Sequence, residues 1–333
     1  MLADRLEAVL GPVVGEDLTV GDLARFPGGA SRETWSFTLT SPGGGAEESR
    51  RLVLRRDPSG AALSGLHLEG DLLSAAARYG VPVPPVLLAG TDPGGLGIFV
   101  VMDHVEGETI PRRILRDDAY GEARRVLTAQ CGRALAAIHR IPPSEIPGLS
   151  GGDQLEQLRT LLDRLGQPHP AFELGLRWLA SQRPARSGEC VVHGDFRNGN
   201  LIVGPEGLRS VLDWELAHRG DPLEDLGWLS VKAWRFGAAL PVGGFGTTEE
   251  LVSAYEEAAG AVVDREALLW WEVLGTLRWG IICIVQALTH TTGAVRSVEL
   301  AAIGRRVCEV EWDLLDLLDR VDPVEAQPAG SAP

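Results

Sequence analysis

Lysine is almost absent from this chain: of its 31 lysines and arginines, only Lys232 is a lysine. The residue before it is Val231, so no P-loop with its Gly-Lys-Ser/Thr signature exists. Basic charge is also outnumbered, since 46 acidic residues leave a net charge of −15. That balance argues against nucleic acid as a partner, because phosphate backbones demand a basic face. Cysteine is sparse as well. Cys131, Cys190, Cys283 and Cys308 are far apart and form no CxxC pair. They read as thiols in a reducing cytoplasm and not as zinc ligands or disulfides. No long apolar run is free of polar breaks: 268–288 is interrupted by Glu272, Arg278 and Gln286. A charge near a bilayer centre costs about 2.5–3.5 kcal/mol even on insertion scales, so this stretch is expected to be a core helix, with no membrane as partner. The opening residues carry Asp4, Arg5 and Glu7, which fits an amphipathic helix and not a secretion signal.

What is present is ordinary globular material, 44% hydrophobic and 23% charged over 333 residues, enough for one large core or two modest ones. The chemistry gathers in 190–228, CVVHGDFRNGNLIVGPEGLRSVLDWELAHRGDPLEDLGW. Val191 and Val192 lead into His193, Gly194 and Asp195; Asn200 follows five positions after the aspartate and precedes a second apolar run, 201–203. The turn residues GPEG at 204–207 return the chain through 210–212 to Asp213. A hairpin of this kind brings Asp213 beside Asn200. Transfer of a γ-phosphoryl group asks little covalent help of a protein; it needs an acceptor hydroxyl aimed in line and metal ions on the phosphate oxygens. Asp195 can orient and deprotonate the hydroxyl, while Asn200 and Asp213 offer the hard oxygen ligands that Mg²⁺ prefers. Downstream, the spacing of Asp221, Pro222 and Glu224 predicts a helix start with Glu224 closing a capping box. His193 reads as structural, since no second His or Cys lies at metal-binding spacing, and His139, at the end of its helix, reads as structural too.

HGDFRNGN followed by LDWE resembles the aminoglycoside phosphotransferase and choline kinase-like family, relatives of the protein kinases. The resemblance implies a protein-kinase-like α+β fold of two lobes: 1–106 with a small antiparallel sheet and a helix, and 107–322, mainly helical, with 323–333 as a disordered tail. It implies ATP and Mg²⁺ as cofactors, Asp195 as catalytic base, Asn200 and Asp213 as metal ligands, and Asp225 as a buried carboxylate fixing the catalytic loop. Gly28, Gly29, Ala30 and Ser31 match the family's phosphate-covering loop. The strand RRLVLRR alternates so that Val53 and Arg55 share one face and Leu54 and Arg56 the other. Arg55 then takes the place of the phosphate-binding lysine of protein kinases, with Glu69 on the next helix as its partner. That is a departure, because a planar guanidinium is not an interchangeable point charge. By register, the carbonyl of Asp103 and the N–H of Val105 would bind adenine.

The remaining chain reads as amphipathic elements. Helices are expected over 1–10, 66–79, 122–140, 153–165, 171–182, 226–235, 248–260, 265–290 and 297–321; the glycine-rich stretches 41–48 and 90–97 are expected to be surface connections. The acceptor is a small molecule whose identity the sequence leaves open, as it does the oligomeric state. Arg112, Arg113, Arg116, Lys232 and Arg235 fall where a kinase-like fold borders the acceptor, favouring an anionic alcohol over a polycationic aminoglycoside. The stretches LVLRRDPSG and VMDHVEG resemble the branch associated with acyl-CoA dehydrogenases, for which hydroxyacyl-CoA is an expected acceptor. An aminoglycoside kinase and a catalytically weak nucleotide-binding relative are the alternatives. A protein kinase is discounted, because no A-P-E-type activation segment follows Asp213.

Overall fold

Side-chain alternation builds the N-terminal layer. In the computed structural model, which describes residues 1–15, 17–26, 32–43, 46–58, 65–92 and 95–321, helix α1 (Leu2–Val14) precedes strands β1 (Thr19–Arg25), β2 (Glu33–Gly43) and β3 (Ala46–Asp57). Helix α2 (Leu66–Arg78) and strands β4 (Val86–Asp92) and β5 (Gly97–Asp103) complete an antiparallel sheet of order β1-β2-β3-β5-β4. Leu52 and Leu54 of β3, with Phe99 and Val101 of β5, join Leu6 and Leu10 of α1 in one core. The intervening residues Val53, Ile98, Val100 and Met102 face Leu66, Leu72 and Leu73 of α2. With a side-chain period of two, this alternation sends Arg55 to the α2 side, toward the rest of the molecule.

The C-terminal part is helical. It contains α3 (Pro111–Arg116), α4 (Gly121–His139), α5 (Gln154–Leu165) and α6 (Pro170–Ser181), then short strands β6 (Cys190–Val192), β7 (Leu201–Gly204), β8 (Gly207–Val211) and β9 (His218–Gly220). Helices α7 (Leu223–Ser230), α8 (Thr248–Ala259), α9 (Arg265–Thr291), α10 (Val298–Gly304) and α11 (Val307–Val321) follow. Apolar faces of α5, α6, α9 and α11 close a second core around Phe172, Leu277 and Leu314. Helix α9 is long and apolar enough to cross a membrane, and 67% of its most apolar window is buried inside the fold. Cys131, Cys190 and Cys283 are buried free thiols; Cys308 is exposed.

Four expectations about elements change. Residues 41–43 and 46–48 are not a loose connection: Ser41 pairs with Glu48, Pro42 with Glu47 and Gly43 with Ala46, extending the β2–β3 ladder. Pro42 is tolerated there because the pairing of β1 with β2 stops at Thr40, so β2 is an edge beyond that point. Likewise 90–92 belongs to β4, and Gly97 opens β5. The expected helix over 297–321 breaks after Gly304, which lies so close to Ala287 of α9 that a Cβ would collide with it. The helix over 226–235 stops at Ser230 and resumes, after Val231, as a 3₁₀ turn over 232–235. The phosphate-loop residues Gly28, Gly29, Ala30 and Ser31 and the tail 323–333 lie outside the described residues.

Candidate active site

Two short ladders hold two loops face to face. β6 pairs with β9, Val192 opposite His218, and β7 pairs with β8, Leu201 opposite Val211. The loop 193–200 therefore hangs between β6 and β7, and 212–217 between β8 and β9. The Leu212 N–H donates to the Asn200 carbonyl at 2.8 Å, which ties the residue before Asp213 to Asn200.

His193 fills the gap between the loops. It is fully buried; its Nε2 donates to the Leu212 carbonyl at 3.1 Å and its Nδ1 accepts from the Asp195 N–H at 3.2 Å. Those two partners select the Nε2–H tautomer, and burial pushes the ring's pKa down, so the imidazole is uncharged. Gly194 adopts φ +78°, and a Cβ there would strike the Leu216 carbonyl oxygen, which restricts the position to glycine. Beneath the loop Asp225 of α7, fully buried, accepts the N–H groups of His193 at 2.8 Å and Gly194 at 2.9 Å, and His139 Nε2 lies 3.1 Å away. Burial pushes the Asp225 carboxyl up, but the hydrogen bonds from His139 and from the His193 N–H hold it below the usual range.

Asp195 is surrounded by donors. Its Oδ1 accepts from Arg197 Nε at 3.0 Å and Trp228 Nε1 at 2.9 Å, and its Oδ2 accepts from Asn200 Nδ2 at 2.6 Å. The same Asn200 amide donates to the Asp195 carbonyl at 3.0 Å. Because both neighbours of Nδ2 are acceptors, the amide orientation is fixed and Asn200 Oδ1 faces the other way. Asp213 sits in the left-handed region at φ +66°, which aspartate tolerates better than most residues. Its carboxylate lies 3.4 Å from Arg55, whose guanidinium also bonds Glu69. Arg32 bridges Glu215 at 2.8 Å and Glu69 at 3.7 Å. Three carboxylates thus face two guanidiniums. Burial raises the pKa of Glu69 and of Glu215, while Arg55, despite burial, is raised by Glu69, Asp213 and Glu215.

Between the sheet and the C-terminal part a cleft of about 490 Å³ is lined by Val53, Met102, Ile202 and Val211 and by most of the predicted site: Arg55, Glu69, Asp103, Val105, Asn200 and Asp213. The Asp103 side chain bonds Arg50, at 2.7 and 2.8 Å. Arg56 faces Glu33 at 2.8 Å on the opposite side of β3. A second hollow of about 500 Å³, bordered by Arg183, Arg219, Asp221 and Trp270, contains none of the predicted residues. Its more apolar walls beside converging charged groups make the first cleft the candidate site. For Mg²⁺ the donor set fits. Asn200 Oδ1 and the Asp213 carboxylate are hard oxygens at the cleft, and this ion needs one or two such ligands beside nucleotide phosphates and water. Among the described residues no group of three or more His, Cys, Asp or Glu forms a complete protein cage.

Several expectations fail locally. Glu224 closes no capping box; it is buried between His218 Nε2 at 3.0 Å and Arg278 at 3.1 Å. Asp221 alone serves the helix start, accepting from the Leu223 N–H at 3.0 Å. Of the cations thought to greet an anionic acceptor, Arg113 pairs with Glu108 at 3.1 Å, Lys232 with Asp313 at 2.5 Å and Arg235 with Glu272 at 3.1 Å. Arg112 and Arg116 are exposed. The residues that sequence reasoning passed over are Arg32, Arg197, Glu215, Trp228 and Arg278. Trp228 could have been found: it stands three positions after Asp225, on the same helix face.

Residues 22–271 match the family model of the phosphotransferase enzyme family, APH. The chain belongs to that family. Mouse acyl-CoA dehydrogenase family member 10 is 30% identical over 254 residues, 72% of this chain and 23% of that protein. Human acyl-CoA dehydrogenase family member 11 is 31% identical over 238 residues, 62% of this chain and 30% of that protein. The chain therefore spans less than a third of these relatives. Among solved structures, a Ralstonia eutropha JMP134 protein assigned as an aminoglycoside phosphotransferase superposes with a TM-score of 0.72 at 23% identity, covering 95% of this chain and 98% of that one. A macrolide 2′-phosphotransferase from Brachybacterium faecium gives 0.62 at 17% identity, covering 97% and 99%. An aminoglycoside phosphotransferase in ternary complex with AMP-PNP and hygromycin B gives 0.61 at 15% identity, covering 97% and 100%. The APH phosphotransferase fold, with its five-stranded antiparallel sheet and helical C-terminal part, is the fold of this chain.

Proposed function

We propose that this APH-family chain transfers the γ-phosphoryl group of ATP to a hydroxyl of a small molecule. The observation that carries the reading is the connected network of Asp195, Asn200 and Asp213: one amide group bonds Asp195, and the Asn200 carbonyl receives the strand that ends at Asp213. In this reading 1–106 covers the nucleotide and 107–322 carries the catalytic loops and the acceptor. Adenine lies against Val53, Met102 and Ile202, with the Asp103 carbonyl and Val105 N–H as its polar partners. Arg55, fixed by Glu69, faces the phosphates; Gly28, Gly29, Ala30 and Ser31 are their further partners by sequence match alone. Asn200 and Asp213 would hold Mg²⁺, which neutralises phosphate charge as the bond to the leaving oxygen weakens. Asp195 receives the acceptor hydroxyl's proton.

For the acceptor, we favour an anionic alcohol, with hydroxyacyl-CoA the first candidate. The pairing of Arg113, Lys232 and Arg235 removes most of the charge argument. What supports the choice is the likeness to acyl-CoA dehydrogenase family members 10 and 11. The solved neighbours with antibiotic acceptors favour the rival reading, an aminoglycoside or macrolide kinase. ADP release in a coupled assay across hydroxyacyl-CoA thioesters, simple hydroxy acids, choline and kanamycin-like amines separates them. Hydroxyacyl-CoA or hydroxy acids are expected to give the highest kcat/KM. If the amines do, the anionic acceptor fails and the kinase survives; if no acceptor accelerates ADP release, the chain is a nucleotide-binding relative without turnover.

A further inference from the structure

The acid face of Asp195 has a built-in asymmetry. A carboxylate oxygen offers about two lone-pair directions. On Oδ1 both are taken, by Arg197 Nε at 3.0 Å and Trp228 Nε1 at 2.9 Å. On Oδ2 one is taken, by Asn200 Nδ2 at 2.6 Å, and no second donor reaches it among the described residues.

Neither donor on Oδ1 is loose. The Trp228 ring is 2% exposed, with the Arg278 guanidinium 4.6 Å from its centroid on one side and Trp234 at 5.1 Å. Arg278 is itself held by buried Glu224 at 3.1 Å. Arg197 lies over Trp234, 4.6 Å from the ring centroid, and Trp234 packs on Trp279 at 4.7 Å. Guanidiniums on indole faces are favourable contacts, and they immobilise both partners. Glu224 and Arg278 therefore act on Asp195 through the indole, which explains a buried ion pair that the helix start did not need.

We propose that Trp228 is a positioning residue for phosphoryl transfer: its indole N–H, with Arg197, anchors one oxygen of Asp195 so that only the oxygen on the Asn200 side can take the acceptor's proton. The inference rests on Asp195 as the base. In the step so assigned, the acceptor O–H gives its proton to Oδ2 while its oxygen bonds to the γ-phosphorus. The bond from that phosphorus to the β,γ-bridging oxygen breaks, its electron pair leaving with ADP, and Asp195 ends as the neutral acid. Since Asn200 belongs to the metal side of the loop, the proton-accepting oxygen and the phosphate are placed on the same side. An unanchored carboxylate would turn about Cβ–Cγ and lose that alignment, and small misplacements at a reacting centre cost rate steeply.

Trp228→Phe keeps the ring and deletes the donor. With Mg-ATP and water as the only acceptor, kcat for ADP formation is expected to fall about tenfold or more while KM for Mg-ATP stays at the wild-type value. A purely structural role would lower thermal stability and leave the rate of folded enzyme unchanged. The second readout needs no turnover. The indole ¹H–¹⁵N resonance of Trp228, assigned by its loss in Trp228→Phe, is expected to move in Asp195→Asn more than any other indole resonance, because a charge-assisted bond becomes a neutral one. Arg278→Met, which strips the platform and spares the indole, is expected to broaden that resonance. Wild-type kcat in Trp228→Phe, or an unmoved indole resonance in an inactive Asp195→Asn, overturns the role of Trp228. Retained turnover in Asp195→Asn instead removes the base on which it rests.

Discussion

Removing the Asp225 carboxylate tests how the catalytic loop is held. Asp225 is fully buried and accepts from two successive backbone N–H groups, His193 at 2.8 Å and Gly194 at 2.9 Å, besides facing His139 at 3.1 Å. In Asp225→Ala both amides lose a charged acceptor at a fully buried position. Breaking a buried charged interaction by removing one partner costs about 3–5 kcal/mol. At about 2–4 °C per kcal/mol for a chain of some size, Tm falls by about 6–20 °C. Asp225→Asn retains one oxygen acceptor and turns an NH₂ group on the other amide, so about half of that loss is expected. Because the folded carboxyl is held below its ordinary value of 3.8, its stabilisation is present above that pH and fades as pH falls through the folded value. Thermal melts at neutral and acidic pH measure this, and hydrogen exchange at the His193 and Gly194 amides localises it. A Tm for Asp225→Ala within about 2 °C of wild type, with both amides still protected, would refute the reasoning.

Arg55→Ala is expected to raise KM for ATP at least several-fold, while Arg56→Ala, on the opposite face of β3 with Glu33, leaves it unchanged; steady-state kinetics showing equal effects would contradict the strand register. Asp213→Ala is expected to weaken Mg-ATP binding and to flatten its Mg²⁺ dependence, measured by titration calorimetry at graded Mg²⁺; a wild-type dependence removes Asp213 from the metal site. His218 is buried, which opposes its charge, but the Glu224 carboxylate raises its pKa above the ordinary 6.5. Its contribution is therefore fully present below pH 6.5 and lost as pH rises through the folded value, so the Tm difference between wild type and His218→Gln shrinks with rising pH; a difference that grows instead reverses the assignment.

The parts of the fold legible in the sequence are those in which local pattern and global packing agree. β3 shows its two faces in RRLVLRR because each face meets a different helix. The loop from His193 to Asn200 and the return to Asp213 are contiguous in sequence, so strand, turn and strand were sufficient to bring them together. What escaped depends on distant partners. Glu224 has capping-box spacing, but Arg278 lies 54 residues away and wins it by burial. The pairing of 41–43 with 46–48 was hidden by the glycines and proline of this stretch, which an edge position permits. The partners of Lys232 and Arg235 were not legible because Asp313 and Glu272 come from helices far along the chain. Trp228 is buried like a core residue, yet its one polar atom reaches Asp195. A side chain can serve both ends, and apolar periodicity registers only the first.

The central claim, that Asp195 delivers an acceptor hydroxyl to ATP bound in the cleft, is tested most directly by pairing Mg-ATP calorimetry with acceptor-dependent ADP release in wild type and Asp195→Asn. The account predicts that the variant binds Mg-ATP with wild-type affinity while turnover drops by about a hundredfold or more, the scale of general-base catalysis. An Asp195→Asn enzyme that keeps its turnover, or that folds normally and no longer binds Mg-ATP, would contradict it.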